Sequence, residues 1–193
     1  MDTNDFAGTD PFQLLDPELW VITSQSGSRR NAMIATFVMP VSIVPDRRRF
    51  VAAIARHHFS HEVLQHAEGC ALHLITRDQF EWVSRYGIPT GRVTDKLVDE
   101  TVTTLSSGAP ILTEALAVFD CRLVRSWSIG DRELYLLDLL ESRQFRAGTP
   151  LRFRETWDLL EPDRRSELSK LFARDQQIDR AAIDNWAAEA GES

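Results

Sequence analysis

Four of the five histidines fall within residues 57–66: His57, His58, His61 and His66. Imidazoles are common metal ligands, and the i, i+4 spacing of His57 and His61 suits two ligands on one helix face. A zinc site needs three or four ligands, however, and the neighbouring residues supply no Cys and no carboxylate that completes a convincing set. The helix also begins only near Ser60, so no metal is assigned. Ser60 suggests different chemistry. At a helix start its hydroxyl, the unpaired N–H groups and the helix dipole can hold a phosphate, with Arg56 adding charge from just upstream. A plain N-cap role explains Ser60 equally well. Arginines cluster at Arg29–Arg30, Arg47–Arg49, Arg143–Arg146, Arg152–Arg154 and Arg164–Arg165, while lysine occurs only at Lys96 and Lys170. Guanidinium groups suit anion binding, but genome composition accounts for the excess as readily. Arg47–Arg49 reads as a solvated loop. The chain contains no P-loop, no G-x-G-x-x-G, no G-x-S-x-G elbow and no H-E-x-x-H.

The chain that positions these groups has 193 residues, the size of one domain with a small appendage. Hydrophobic residues at 43% and charged residues at 26% exclude wholesale disorder. No apolar run approaches the roughly 18 residues of a membrane span. The segment Met1–Asp10 holds three aspartates and no Lys or Arg, so it reads as a short arm and not as a signal peptide. A net charge of −7 and a pI near 5.2 argue against a nucleic-acid partner. Two cysteines, Cys70 and Cys121, are too few for a disulfide scaffold or a Cys-rich zinc site, and a reducing cytoplasm is the expected compartment.

Leu19–Ser24 and Asn31–Val38 read as two strands of a hairpin about Gly27. Val41–Val44 reads as a short extended piece between Pro40 and Pro45. Phe50–Ala55 is nearly all apolar, as in a strand buried on both faces. A helix over 59–68, capped by Ser60 and closed by Gly69, leads to a strand Cys70–Ile75. Thr76 and Gln79 form a capping box for a second helix through Tyr86 to Gly87. A long connection, 87–108, precedes two strands, Ala117–Trp127 and Arg132–Arg143, joined by a turn at Gly130. The second of these is apolar on both faces and so needs cover on both, which hints at a homodimer. Leu151–Leu160 reads as one more strand. Two helices follow, one from Pro162 and one capped by Asp179, with apolar stripes including Leu168, Phe172, Ile183 and Trp186. The sum is a mainly β barrel with a few helices and a C-terminal helical tail. The expected division is an N-terminal arm (1–16), a barrel domain (17–160) and a helical appendage (161–193).

The stretch from Asn31 to Glu62 resembles the flavin reductase-like family, whose fold is the FMN-binding split barrel, a Greek-key arrangement. Its Asn-Gly-Met-Thr-Ala-Ser-Ser segment has its counterpart in Asn31-Ala32-Met33-Ile34-Ala35-Thr36-Phe37. Pro40-Val41-Ser42-Ile43-Val44-Pro45 stands for the family's Ser-Val-Ser-x-x-Pro, and Ala55-Arg56-His57-His58-Phe59-Ser60-His61-Glu62 for its Asn-Arg-x-x-x-Thr-His-Glu turn. Cys70–Ile75, Gly108-Ala109-Pro110-Ile111-Leu112 and Gly130-Asp131-Arg132 follow in the family's order. The resemblance covers roughly Pro17 to Ser142 and ends before the helical tail.

The resemblance implies FMN, with FAD the less expected flavin, held by Asn31 through Phe37, Ser42, Ala55 through His61, and His73. Taken alone, Met33 and Phe37 read as core as readily as cofactor wall. The resemblance further implies NAD(P)H as co-substrate and a flavin reductase that passes hydride from nicotinamide to flavin. A partner oxygenase or other acceptor would take the reduced flavin, and the flavin would lie near the boundary of a homodimer. No side chain is then an obligate acid or base, because the flavin carries the chemistry. The chain departs from the pattern at Ala32 (Gly), Ile34 (Thr), Asp46 (Pro), His73 (Asn) and Arg132 (His). Arg132 stands on what is the nicotinamide side in relatives. These departures keep a second reading open, a flavin-holding or electron-transfer module without NAD(P)H activity. A third is a fold that has lost its cofactor and serves as an interaction surface.

Overall fold

A computed structural model describes residues 10–191; of the expected arm (1–16), residues 1–9 lie outside the described residues, and Pro11–Leu14 form a 3₁₀ turn capped by Asp10. Among the described residues nine strands form: β1 (Trp20–Ser26), β2 (Arg29–Ala35), β3 (Val38–Pro40), β4 (Arg49–Ala55), β5 (Gly69–Leu74), β6 (Val102–Thr104), β7 (Pro110–Leu112), β8 (Ala117–Ser128) and β9 (Arg132–Gln144). Four α-helices accompany them: α1 (Phe59–Leu64), α2 (Glu81–Gly87), α3 (Phe153–Leu159) and α4 (Pro162–Ala190). Seven strands make one antiparallel sheet in the order β2-β1-β5-β8-β9-β4-β3, and β6 and β7 pair separately.

One short link dictates the curvature. β2 and β3 are the opposite edges of the sheet, yet only Thr36 and Phe37 separate them. A flat seven-stranded sheet would hold its edges roughly 29 Å apart, while the chain from Ala35 to Val38 reaches at most about 11 Å. The sheet must therefore curl until its edges nearly meet, giving a split barrel. Phe37 anchors the junction, its carbonyl accepting from the Ala53 amide at 2.9 Å.

Side-chain alternation divides the interior. Trp20, Ile22, Phe50, Ile54, Leu72, Tyr135 and Leu137 fill the barrel, where the rings of Trp20, Phe50 and Phe119 lie 5.2–6.1 Å apart. Leu19 and Val21 point the other way and pack with Val83, Tyr86, Leu151 and Leu168. β1 is apolar on both faces because both faces are covered. Cys70 and Cys121 face each other across β5 and β8, buried and unbonded. Burial, helped by nearby Asp120, pushes the Cys70 thiol up to about 12, and burial also raises Cys121. A Cβ on Gly69 would lie 2.0 Å from the Cys121 carbonyl oxygen, so this residue opens β5 rather than closing α1.

Several expected elements take another form. Val41–Val44 forms no strand and is largely solvent-facing. α1 ends at Leu64, and its N-cap is His58, with Ser60 buried inside the first turn. The expected strand Leu151–Leu160 is α3, leaving only an isolated bridge between Glu18 and Arg152. Phe153 and Trp157, spaced i, i+4, stack edge-on at 6.0 Å and favour the helix. The expected C-terminal pair is one 29-residue helix. No Gly or Pro interrupts it after Pro162, and Asp179 turns to Arg132 instead of capping. Among the described residues no helix is long and apolar enough to cross a membrane.

Candidate functional site

A cavity of about 580 Å³ is walled by the edge strand β2, the turn before α1, α2 and α4. This volume lies within the roughly 300–1,000 Å³ of small-molecule sites. Of the residues singled out in the sequence, Asn31, Met33, Ile34, Ala35, Thr36, Phe37, Ala55, His57, His58, Phe59, Ser60 and Arg132 line it.

Ala32, Ser42, Arg56, His61 and His73 are not among its lining. Ala32 is fully buried in the cluster of Leu19 and Val21. Ser42 accepts from the Val44 amide in the loop after β3. Arg56 points outward and donates to Ser128. His61 is hydrogen-bonded to the Tyr135 hydroxyl at 2.7 Å. His73 sits on β5, with β1 between it and the edge strand. It bridges the Val21 carbonyl and the Leu112 amide, each at 3.1 Å, and burial lowers its pKa to about 4. A neutral His73 pins β7 to the sheet.

Two polar groups face the cavity. In the first, Asn31 Nδ2 donates to the buried Ser60 hydroxyl at 2.6 Å, while Asn31 Oδ1 is buried with no hydrogen-bond partner. Gly91 closes over this pair: a Cβ there would lie 2.3 Å from Asn31 Oδ1 and 2.5 Å from the Phe59 ring. Arg92 donates to the His57 carbonyl at 2.9 Å and pairs with Glu62, holding that carboxyl below its ordinary pKa. Lys96 donates to the Tyr86 carbonyl at 2.7 Å, and burial pulls its pKa down to about 8.

The second group joins the barrel to α4. Arg132 stacks over the Phe37 ring at 4.8 Å and pairs with Asp179 at 2.8 Å and Asp131 at 3.0 Å. His57 and His58 both face Asp175. Burial lowers the His58 pKa against the raising effect of its bond to Asp175. Burial works against the charge on Asp175, yet the His58 bond and the two histidine charges hold its pKa below the ordinary value. Burial raises Asp179. Leu168, Leu171 and Phe172 of α4 add an apolar wall.

Lys96, Arg92 and Gly91 emerge from the long connection that the sequence leaves without a role. The rarity of lysine was the available signal for Lys96. Asp175 and Asp179 leave no local signal, since Asp175 is 117 positions from its partner His58. The carboxylate missing from the histidine segment thus comes from α4.

The residues fit a flavin phosphate. As an edge strand, β2 has one row of backbone groups unpaired within the sheet. Ser60, Arg92 and Lys96 offer donors to an anion beside apolar walls, while the orphaned Asn31 Oδ1 calls for a donor, such as a flavin N–H or hydroxyl, and not for the phosphate. The flavin reductase like domain family matches residues 16–155 in sequence. Diflavin flavoprotein A 1 of Synechocystis is 25% identical over 132 residues, covering 67% of this chain and 22% of that protein. The chain spans about a fifth of the length of the curated relatives it matches. Among solved structures, an NADH:FAD oxidoreductase of Streptomyces globisporus superposes with a TM-score of 0.66 at 19% identity, covering 74% of this chain and 83% of that one. An FMN-binding protein of Thermus thermophilus, solved with p-hydroxybenzaldehyde, gives 0.64 at 22% identity, covering 75% and 82%. These two likenesses establish the split-barrel fold, and the sequence match over 16–155 makes the chain a member of the flavin reductase-like family.

Proposed function

We propose that the cavity binds FMN and that the chain is an NAD(P)H:flavin oxidoreductase. The carrying observation is the cavity itself: an unpaired strand edge, an orphaned Asn31 oxygen and two cations converge there in a chain of this family. When bound, the flavin supplies hydride acceptance from a nicotinamide. Arg92 and Lys96 neutralise the phosphate, Ser60 donates to it, β2 reads the polar rim of the ring system, and Met33, Ile34 and Phe37 exclude water. Arg132 contacts the nicotinamide side. The reading includes a cytoplasmic setting, an acceptor such as an oxygenase, and division into a flavin domain at 17–160 with an appendage at 161–193. It also includes a homodimer formed through the apolar surface of Phe37, Met39 and Trp127, which are 55%, 60% and 44% exposed. Sedimentation should then give a dimer, and Met39→Asp a monomer with weakened flavin; a wild-type monomer that binds flavin tightly counts against it.

A second reading is favoured by α4, which lines the cavity on the side of Arg132. Here the protein holds flavin but takes electrons from a source other than a nicotinamide. Visible spectra of the purified protein with FMN, followed by anaerobic NADH and NADPH, separate the two. Bleaching by either nucleotide supports the reductase. A bound flavin that stays oxidised with both supports the module. No flavin binding at micromolar concentration sinks both readings.

A further inference from the structure

His57 and His58 occupy the turn between β4 and α1, and their rings meet edge-to-face with centroids 4.4 Å apart. His57 Nε2 lies 3.3 Å from Asp175 Oδ1, and His58 Nε2 lies 3.0 Å from Asp175 Oδ2. One potential ligand atom from each of the three residues falls within a sphere of contacts no wider than 4.8 Å. Around a tetrahedral zinc with bonds near 2.0–2.1 Å, neighbouring donor atoms sit about 3.3 Å apart. The measured spacings of 3.3 and 3.0 Å lie near that value, each to a different Asp175 oxygen, and the donor atoms of the three residues all lie within 4.8 Å of one another.

A second observation sets this cluster apart from a surface ion pair. His57 Nε2, Asp175 Oδ1 and Asp179 Oδ1 are buried and lack hydrogen-bond partners. His57 Nε2 and Asp175 Oδ1 face each other at 3.3 Å, and two such unsatisfied atoms are costly unless something joins them; Asp179 Oδ1 lies on the other, Nδ1 side of His57. Asp175 faces both imidazoles and lies 3.4 Å from Arg174, while Asp179 faces His57 and pairs with Arg132, so full ion pairing would set two adjacent imidazolium ions beside two guanidinium groups. A single divalent ion satisfies both imidazoles and the carboxylate together. Behind His57, the Asp179 carboxylate stands 3.4 Å from Nδ1, the position from which a carboxylate orients a metal-bound imidazole.

We propose that His57, His58 and Asp175 form a three-ligand site for a borderline transition-metal ion such as Zn²⁺, with Asp179 as the positioning residue for His57. All three ligands line the cavity, which can supply a fourth ligand. Asp175 lies outside residues 16–155, the part shared with the family, so the site is built by the docking of α4. It stands whether or not the cavity holds a flavin.

The test uses the full chain, stripped with chelator and dialysed. Titration with CoCl₂ should give the intense visible bands of four-coordinate cobalt at one equivalent per chain, and ZnCl₂ should displace it. Zinc should also raise the melting temperature, because it binds the folded chain preferentially. Asp175→Asn, nearly isosteric, and His58→Ala should abolish the cobalt bands. Asp179→Asn should retain them with affinity lowered about 10–100-fold. His66→Ala, outside the cluster, should bind as the wild type does. Circular dichroism checks that each variant folds. Substoichiometric zinc and cobalt in the wild type, or bands that persist in folded Asp175→Asn, would overturn the assignment.

Discussion

Lys96 is one of two lysines in the chain, and its half-buried ammonium has a pKa lowered from 10.5 to about 8. Because the folded pKa is the lower one, the unfolded chain binds more protons between about pH 8 and 10.5. Lys96 therefore costs stability below pH 8, and that cost is released as pH rises through this window. Flavin phosphate has the opposite dependence, since it needs the ammonium. FMN affinity should fall as pH rises through about 8, and Lys96→Met should bind more weakly at pH 7 and lose this step; titration by fluorescence quenching reads both. Gly91 is the second sensitive position. A methyl group there meets Asn31 Oδ1 and the Phe59 ring inside contact distance, so Gly91→Ala should lower FMN affinity at least tenfold. Overpacking of this kind also costs about 1–3 kcal/mol, measurable by urea unfolding. Asn31, Ser60 and the Met33–Phe37 segment are legible as lining of the cavity because they sit in contiguous stretches with a recognisable order. Lys96 and Asp175 are not, because each reaches the cavity only through the packing of a distant segment.

At the scale of elements, the local signals that succeed are those with short-range causes. The hairpin β1–β2 follows from a turn at Gly27, whose φ of 57° suits glycine, between two apolar runs. The capping box of Thr76 and Gln79 forms as spaced, but it opens a 3₁₀ turn at Arg77–Gln79, and α2 starts only at Glu81. α3 and α4 mislead for opposite reasons. α3 is only seven residues long, with Phe153, Trp157 and Leu159 its apolar residues, too few for its period to be told from a strand's. Asp179 imitates a helix cap but is held in mid-helix by Arg132. α4 is anchored through Leu168, which is buried beside Ile34 and Gly87. Leu168→Ala should cost about 2–5 kcal/mol if the helix is an integral wall. Hydrogen exchange should then rise along α4 before it rises in β5 or β8. Equal protection loss in helix and sheet would mean that α4 and the barrel open as one unit.

At the scale of the molecule, the split barrel is legible from the ordered motifs between Asn31 and Arg132, while its closure rests on the Thr36–Phe37 link between opposite sheet edges. The same curled sheet encloses Cys70 and Cys121, which face each other in its interior. Both cysteines of the chain are therefore hidden from solvent, and burial disfavours their thiolates. A thiol reagent such as a disulfide dye can label neither until β5 and β8 separate. Labelling of the native protein should follow the rate of global opening, and both thiols should react together. The chain thus carries its own unfolding clock, and a single cysteine introduced on the exposed side of α4 would be the only quickly labelled site, free to report the movement of that helix alone.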